Sequence, residues 1–141
     1  KQDLKRAGKL NSRLVDLLRC EPRPYEGEAA IIGPNGGTIH VGEHELEIPR
    51  GALSREELIV AEAPPSPLVD VEFLPEGLQF SRPAHLTLSY KGCLVPANTT
   101  LLIAYLGVGN RILELPPSLD RKDISEIEGE INHFSRYAVA Y

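Results

Sequence analysis

Apolar and polar residues alternate along most of this chain, and turn residues interrupt the alternation roughly every eight to twelve residues. A period of two places successive side chains on opposite faces of a strand, so it predicts strands with one buried face. Short strands joined at this spacing are typical of an antiparallel sandwich. Twelve Gly and twelve Pro residues are available for the turns. We therefore predict an all-β fold, an antiparallel β-sandwich, from Glu28 onward.

The predicted strands lie between clear turn signals. They cover residues 29–32, 38–41, 43–48, 58–61, 69–73, 78–90 (through Pro83), 101–106, 112–115 and 124–131, and a closing strand follows at 131–141. The strand at 101–106 is apolar on both faces, which predicts a central position in its sheet.

Residues 2–19 follow a different period. Their apolar positions are Leu4, Ala7, Leu10, Leu14, Leu17 and Leu18. This spacing predicts one amphipathic helix, which Pro22 and Pro24 end. We divide the chain into an N-terminal helix or linker at 1–20 and a sandwich domain at 21–141. A basic helix of this kind would suit a membrane surface or another protein, but we expect it to pack on its own domain or on an oligomer neighbour.

The charge is unevenly distributed along the chain. The formal net charge is −5 at pH 7, yet basic residues predominate in the first 20 positions and acidic residues in the rest. An acidic sandwich is a poor candidate for nucleic-acid binding. No apolar run reaches the ~18 residues of a membrane span. The chain begins at Lys1 without an apolar signal region, and we interpret it as a processed or excised piece.

Three histidines could in principle act as metal ligands: His40, His44 and His85. No cysteine or close carboxylate cluster accompanies them, so we expect no metal site. The glycine-rich stretch at 33–37 is not followed by a phosphate-binding helix motif, and we interpret it as a turn. We accordingly expect no cofactor.

Cys20 and Cys93 are the only cysteines. Cys20 lies where the predicted helix meets the sandwich, and Cys93 lies just beyond a predicted strand. We predict a disulfide between them, with two buried free thiols as the alternative. A disulfide implies an oxidising, extracytoplasmic or secreted setting, whereas free thiols would leave a cytoplasmic one open.

The closing segment contains His133, Phe134 and Ser135 in succession. In a straight strand His133 and Ser135 share one face, while Phe134 has the wrong parity to share a core with Tyr137 and Val139. Either both faces are covered, or the strand kinks between 134 and 137.

The same three residues could support an N-to-O acyl shift. Ser135 would attack the Phe134 carbonyl, His133 would transfer the proton, and water would cleave the resulting ester. The alternative is a serine and a histidine at a strand edge with no chemical role.

Four sequence runs occur in a recognisable order: IGPNGGTI at 32–39, LEIPRGAL at 46–53, VEFLPEGLQF at 71–80 and PAHLTLSY at 83–90. Together they resemble the ZU-five domain family, named for zonula-occludens and Unc-type netrin-receptor proteins, over about residues 28–141. The ending is closest to bacterial exported members that end in His-Phe-Ser-Arg-Tyr. The resemblance implies a β-sandwich that acts as a protein-interaction module. It also implies a possible cleavage junction, since some family members cut themselves at a similar His-Phe-Ser.

Two functional hypotheses follow. We expect a protein-interaction or scaffold module without small-molecule catalysis, whose partner is another protein or domain. The alternative is a self-processing domain that cleaves its own Phe134-Ser135 bond, with Ser135 as nucleophile and His133 as the proton-transfer residue.

Overall fold

The computed structural model describes residues 16–141 as an all-β chain. Its strands are β1 (Glu26–Ile32), β2 (Gly37–Val41), β3 (His44–Ile48), β4 (Glu57–Ala63), β5 (Asp70–Leu74), β6 (Gln79–Ser89), β7 (Leu102–Leu106), β8 (Ile112–Glu114), β9 (Ser118–Arg121), β10 (Glu126–His133) and β11 (Arg136–Ala140). A 3₁₀ turn at Val108–Asn110 separates β7 from β8. The predicted all-β class is therefore confirmed.

The strands form two antiparallel sheets. One has six strands in the order β1-β4-β5-β11-β7-β8, and the other has five in the order β2-β3-β6-β10-β9. Hairpins such as β2-β3 and β9-β10 stay within one sheet, while the connections between hairpins change sheet. The antiparallel sandwich predicted from the alternation is thus the observed architecture.

The core lies between the two sheets and follows the alternation. In β3, Leu46 and Ile48 are buried while Glu47 is exposed. In β10 of the same sheet, Ile127 and Ile131 are buried in the same core. Burying one such aliphatic side chain stabilises the fold by about 1.5–3 kcal/mol. The apolar side chains on the inner face of each strand therefore hold the two sheets together.

The strand predicted through Pro83 is confirmed, whereas one short strand was not predicted. The alternation at 78–90 forms one strand, β6, which continues through Pro83. Proline has no backbone N–H to donate to the ladder. The pairing of β6 with β10 shifts register between Ile131 and His133, opposite this part of β6. The missing donor therefore lies where the ladder is already irregular. Strand β9 was not predicted, because Pro116 and Pro117 precede it and its four residues are too few for a periodic signal.

The predicted N-terminal helix falls mostly outside the described residues, which begin at Asp16. Its last four positions are extended and not helical: Leu17 forms an antiparallel bridge with Ala140, and Arg19 forms one with Leu68. Leu18 is 2% exposed and belongs to the core between the sheets. Residues 16–19 therefore extend the six-stranded sheet. No helix within residues 16–141 is long and apolar enough to cross a membrane.

A disulfide joins Cys20 to Cys93, with a Cα–Cα distance of 5.0 Å, as predicted. The guanidinium of Arg23 donates hydrogen bonds to the carbonyls of Ser89 and Lys91 at 3.1 and 3.0 Å. Both contacts fasten the segment before β1 to the end of β6. The covalent and polar links therefore set where the chain enters the sandwich.

Candidate functional site: the crossover at Phe134 and Ser135

The chain passes from one sheet to the other through two residues. Strand β10 ends at His133 in the five-stranded sheet, and β11 begins at Arg136 in the six-stranded sheet. Phe134 and Ser135 form the bend between them. The predicted kink is therefore confirmed, and it lies at the Phe134-Ser135 peptide, which is trans.

Hydrogen bonds to the backbone fix this crossover. The Phe134 N–H donates to the Leu78 carbonyl at 2.8 Å, and the Phe134 carbonyl accepts from the Gly77 N–H at 3.1 Å. The Ser135 carbonyl accepts from the Phe73 N–H at 3.1 Å. Gly77 has φ +82°, a left-handed conformation that glycine adopts without steric cost, and this turn brings its N–H to the carbonyl.

The ring of Phe134 is buried at 1% exposure. It stacks on Phe73 with ring centroids 5.2 Å apart, and it meets Phe80 edge-on at 5.1 Å. In a straight strand Phe134 could not share a core with Tyr137 and Val139. The bend places all three side chains in the same core. The aromatic packing holds the peptide bond in a fixed place.

His133 lies next to the bend, and its ring packs against two tyrosine rings. The imidazole meets Tyr105 edge-on at 4.8 Å between ring centroids, and Tyr137 lies 6.3 Å away. Among residues 16–141, no hydrogen bond joins the imidazole to the Ser135 hydroxyl. The expectation that both side chains share the face of one straight strand is wrong, because the strand ends at His133.

The crossover contains some of the groups that an acyl shift needs. The Ser135 hydroxyl directly follows the Phe134 carbonyl, and the Gly77 N–H is one donor that would stabilise an oxyanion on that carbonyl. A cavity of about 250 Å³ lies beside the crossover and is lined by Glu114, Glu130, His133 and Tyr137 among others, but not by Phe134 or Ser135. Burial raises the pKa of the Tyr137 phenol, which therefore stays protonated as a donor.

The other three histidines lie in separate environments. The exposed His40 ring lies 3.9 Å from Glu45, and His85 lies 3.1 Å from Glu128. His44 is buried, and its Nδ1 accepts a hydrogen bond from the Ser89 N–H at 3.0 Å. In the part of the chain that the structure describes, no group of three or more His, Cys, Asp or Glu side chains is placed to hold a metal ion.

Burial, with the nearby charge of Arg23 adding to it, lowers the pKa of His44 from 6.5 to about 4. His44 also lines a second cavity of about 250 Å³, together with Arg23, Asp70 and Lys91. At neutral pH this imidazole is uncharged, and its Nδ1 acts as the acceptor that holds the end of β6.

Sequence reasoning missed two groups near the crossover. Gly77 follows Pro75 and Glu76, and nothing in this local sequence indicates that it contacts the Phe134 carbonyl. Asp70 alternates with the apolar Val69 and Val71 in the sequence, which is typical of an exposed polar position, yet it is 2% exposed and its Oδ2 accepts two hydrogen bonds from Arg136, at 3.0 and 2.8 Å. A carboxylate and a guanidinium 66 residues apart give no signal at short range.

No protein-family model matches this chain, and a search of curated proteins gives no match. The resemblance to the ZU-five family accordingly stays a prediction that rests on the sequence motifs.

Proposed function

We propose that this chain is a protein-interaction module of ZU-five type, which binds another protein through the outer face of its six-stranded sheet. The supporting observation is the pair Ile31 and Leu58. They lie directly opposite each other on β1 and β4 and are 66% and 61% exposed. Large aliphatic side chains exposed side by side form continuous apolar surface, which on a folded domain marks interaction sites.

The apolar surface extends beyond this pair. On the same outward face, Ala29 lies opposite Val60, and Val60 lies opposite Leu74 on β5. We call Ala29, Ile31, Leu58, Val60 and Leu74 the outer apolar band. The band crosses three neighbouring strands, β1, β4 and β5.

An acidic border lies next to the outer apolar band. Glu62 and Glu72 are cross-strand partners on the same face, and the Tyr25 hydroxyl donates to Glu62 at 2.9 Å. An apolar centre with a polar rim is the usual arrangement of a protein interface. The partner that fits is a protein surface with an apolar anchor flanked by basic side chains.

Two further observations agree with the proposal. The two-sheet fold is the one that the ZU-five resemblance implies. The Cys20-Cys93 disulfide fits an oxidising compartment, so we place the module in an extracytoplasmic or secreted setting.

A comparative capture experiment tests the proposal. The wild-type chain, Leu58→Glu and Leu119→Glu are immobilised and exposed to the same extracytoplasmic protein fraction. Leu119 is a matched control, since it is 55% exposed on β9 of the other sheet. The proposal predicts a protein retained by the wild type and Leu119→Glu and lost by Leu58→Glu. Identical captured sets for all three chains would reject the outer apolar band as the binding surface.

A second candidate function is self-cleavage at Phe134-Ser135. The observation that favours it is the Gly77 N–H, which donates to the carbonyl that Ser135 would attack. His133 would have to leave its edge contact with Tyr105 to accept the Ser135 proton. After cleavage, the ladder of β11 with β5 and β7 would keep the terminal strand in place.

Mass measurement of the denatured chain after long incubation separates the two functions. Self-cleavage predicts a fragment that begins at Ser135, and Ser135→Ala abolishes it. A full-length mass for both chains rejects self-cleavage and leaves the binding module. A fragment from Ser135→Ala cut at the same bond would reject the acyl shift.

A further inference from the structure

The edge strands of the two sheets differ in length and in how they are protected. Within residues 16–141 the edges are β1 and β8 in the six-stranded sheet, and β2 and β9 in the five-stranded sheet. Strand β8 has three residues, β9 has four and directly follows two prolines, and β2 has five. Strand β1 has seven residues without proline or lysine, and all seven pair with β4 without a bulge. Among the described strands, β1 is therefore the longest and least protected edge.

The free side of β1 carries backbone groups that an added strand could use. In an antiparallel sheet, alternate residues of a strand direct their N–H and C=O groups to opposite sides. Among the strands of residues 16–141, β1 pairs only with β4. Five of its seven residues are exposed: Glu26, Gly27, Glu28, Ala29 and Ile31. An open edge of this kind is the surface to which an extended segment of another chain binds.

The side chains of β1 differ between its two faces. Ala29 and Ile31 point to the outer face and belong to the outer apolar band. Glu26 and Glu28 have the opposite parity and point toward the side of the five-stranded sheet. A Cβ added to Gly42 in the turn between β2 and β3 would lie 3.1 Å from Cγ of Glu26, in agreement with this direction. The edge therefore presents apolar side chains on one face and carboxylates on the other.

Tyr25 extends the apolar face to the start of β1. A Cβ added to Gly27 would lie 2.4 Å from the Tyr25 hydroxyl oxygen, so the phenol occupies the space above this glycine. The hydroxyl donates to Glu62, which is the cross-strand partner of Gly27, and the side chain is 55% exposed. A strand added to the edge would therefore meet apolar surface at three successive positions of its outer face: Tyr25 above Gly27, then Ala29 and Ile31.

We propose that the partner of the outer apolar band adds an extended segment as an antiparallel strand on the free edge of β1. The segment carries apolar side chains on the outer face and basic side chains at the alternate positions. This inference rests on the proposed function, because it states how the same surface holds its partner. Backbone hydrogen bonds to β1 supply affinity, and the alternating side chains supply specificity. Antiparallel pairing is slightly more stable per residue than parallel pairing.

The carboxylates of β1 select the chemistry of the added strand. A basic side chain opposite Glu28 forms a favourable cross-strand pair, whereas an acidic one is repelled. A second copy of β1 fits less well. In the symmetric pairing that uses all seven residues, centred on Ala29, the two Glu28 side chains would be diagonal neighbours about 7–8 Å apart on one face. The charges therefore favour a basic segment of a different protein.

A synthetic peptide tests strand addition on the full ¹⁵N-labelled chain. The probe is Thr-Val-Thr-Val-Lys-Val-Lys, which in antiparallel register places its valines on the outer face and its lysines opposite Glu28 and Glu26. In an NMR titration the amide signals of residues 26–32 should shift, and hydrogen exchange of the free-edge amides should slow by about tenfold. No change at 26–32 with millimolar peptide, or changes only in the five-stranded sheet, would overturn the proposal.

Methylation of the peptide backbone distinguishes strand pairing from contact through side chains alone. One version carries N-methyl groups on alternate residues, and a second version carries them on the remaining residues. Only one set of peptide N–H groups faces β1 in an added strand. One version should therefore bind like the parent peptide and the other should not bind. Equal binding of the two versions, or loss of binding by both, would contradict strand addition.

A charge exchange tests the register and the preference for a basic partner. Glu28→Lys should weaken binding of the peptide by about fivefold or more, because it turns an attractive cross-strand pair into a repulsive one. A peptide with Glu in place of the lysine opposite position 28 should restore binding to this variant. Glu47→Lys is the control, since Glu47 is exposed on β3 of the other sheet and the change in net charge is the same. Equal weakening by both substitutions would reject the pairing at Glu28.

Hydrogen exchange of the captured complex separates this inference from the function on which it rests. Capture that Leu58→Glu abolishes, without protection of 26–32 in the wild-type complex, keeps the outer apolar band as a binding surface and overturns strand addition. Capture that Leu58→Glu does not change rejects the band, and the peptide titration then decides the edge by itself. Protection of 26–32 in the free protein that increases with its concentration would show that a second copy occupies the edge, which would also overturn the proposal.

Discussion

The Tyr137 hydroxyl donates a 2.7 Å hydrogen bond to the backbone carbonyl of His133, four residues earlier. The two residues belong to different sheets, β11 and β10, so this bond spans the crossover. It satisfies a carbonyl at the end of β10, where the ladder to β6 is already irregular. The bond therefore braces the bend that places Phe134 in the core.

Replacement of Tyr137 by Phe should destabilise the fold by about 1–3 kcal/mol, because it removes the donor and leaves the His133 carbonyl without a partner. Tyr105→Phe is the matched control: Tyr105 is adjacent to the same ring, and its hydroxyl makes no hydrogen bond to a described residue. Urea unfolding of both variants measures the effect. An equal change in both would show that the Tyr137 hydrogen bond does not brace the crossover.

The sequence predicts this bend as one of two possibilities and does not indicate its partners. Parity alone shows that Phe134 cannot share a core with Tyr137 and Val139 in a straight strand, which leaves two covered faces or a kink. The contact with Gly77 and the bond from Tyr137 depend on which strands become neighbours. That order is set by packing over the whole chain, which a local pattern does not contain.

Removal of Arg136 should be costly because its partner is buried. Asp70 is 2% exposed, and burial raises the pKa of its carboxyl while the hydrogen bonds from Arg136 oppose that rise. Arg136→Met should destabilise the fold by about 3 kcal/mol at pH 7. The loss should shrink as the pH falls toward the usual range of an aspartate, since the unpaired carboxyl then binds a proton in the folded state.

A double-mutant cycle isolates this pair. Asp70→Leu combined with Arg136→Met should recover much of the stability that Arg136→Met loses, because no unpaired charge remains. Free energies of unfolding that simply add across the cycle would show that the two side chains do not interact.

His44 should make the fold acid-sensitive. Its pKa is about 4 in the folded protein and 6.5 in the reference state, so the unfolded chain binds the proton more tightly. Stability is therefore full above pH 6.5 and declines as the pH falls toward 4, by up to about 3 kcal/mol.

Urea unfolding at pH 7 and pH 4.5 measures this sensitivity. His44→Asn keeps an acceptor for the Ser89 N–H but removes the titrating group, so its stability should change less between the two pH values. His40→Gln is the control, because His40 is exposed. If wild type and His44→Asn lose the same free energy, His44 is not the group responsible.

Reduction of the Cys20-Cys93 disulfide should lower stability by about 4 kcal/mol, the value expected in the chain-entropy account for the separation of 73 residues. Unfolding of the wild type with and without reductant provides the measurement, with a Cys20→Ser/Cys93→Ser chain that reductant should not affect. Detection of two free thiols in the denatured, unreduced protein would contradict the bridge.

The pairing of these two cysteines could be predicted from their number, since two cysteines permit one bridge. The path of the chain next to Cys20 could not be predicted from the sequence. Residues 16–19 follow the helical spacing of the N-terminal stripe, yet they pair with Val139 to Tyr141 and with Leu68 as extended chain. Sheet hydrogen bonds and the burial of Leu18 override the local helical pattern there.

The central claim is that the chain binds a protein through the outer apolar band. Calorimetric titration of the captured partner with wild type, Leu58→Glu and Leu119→Glu tests it most directly. A charge at the centre of an apolar interface should weaken binding by about tenfold or more, while Leu119→Glu should bind like the wild type. Equal dissociation constants for wild type and Leu58→Glu, with both chains folded, would contradict the claim.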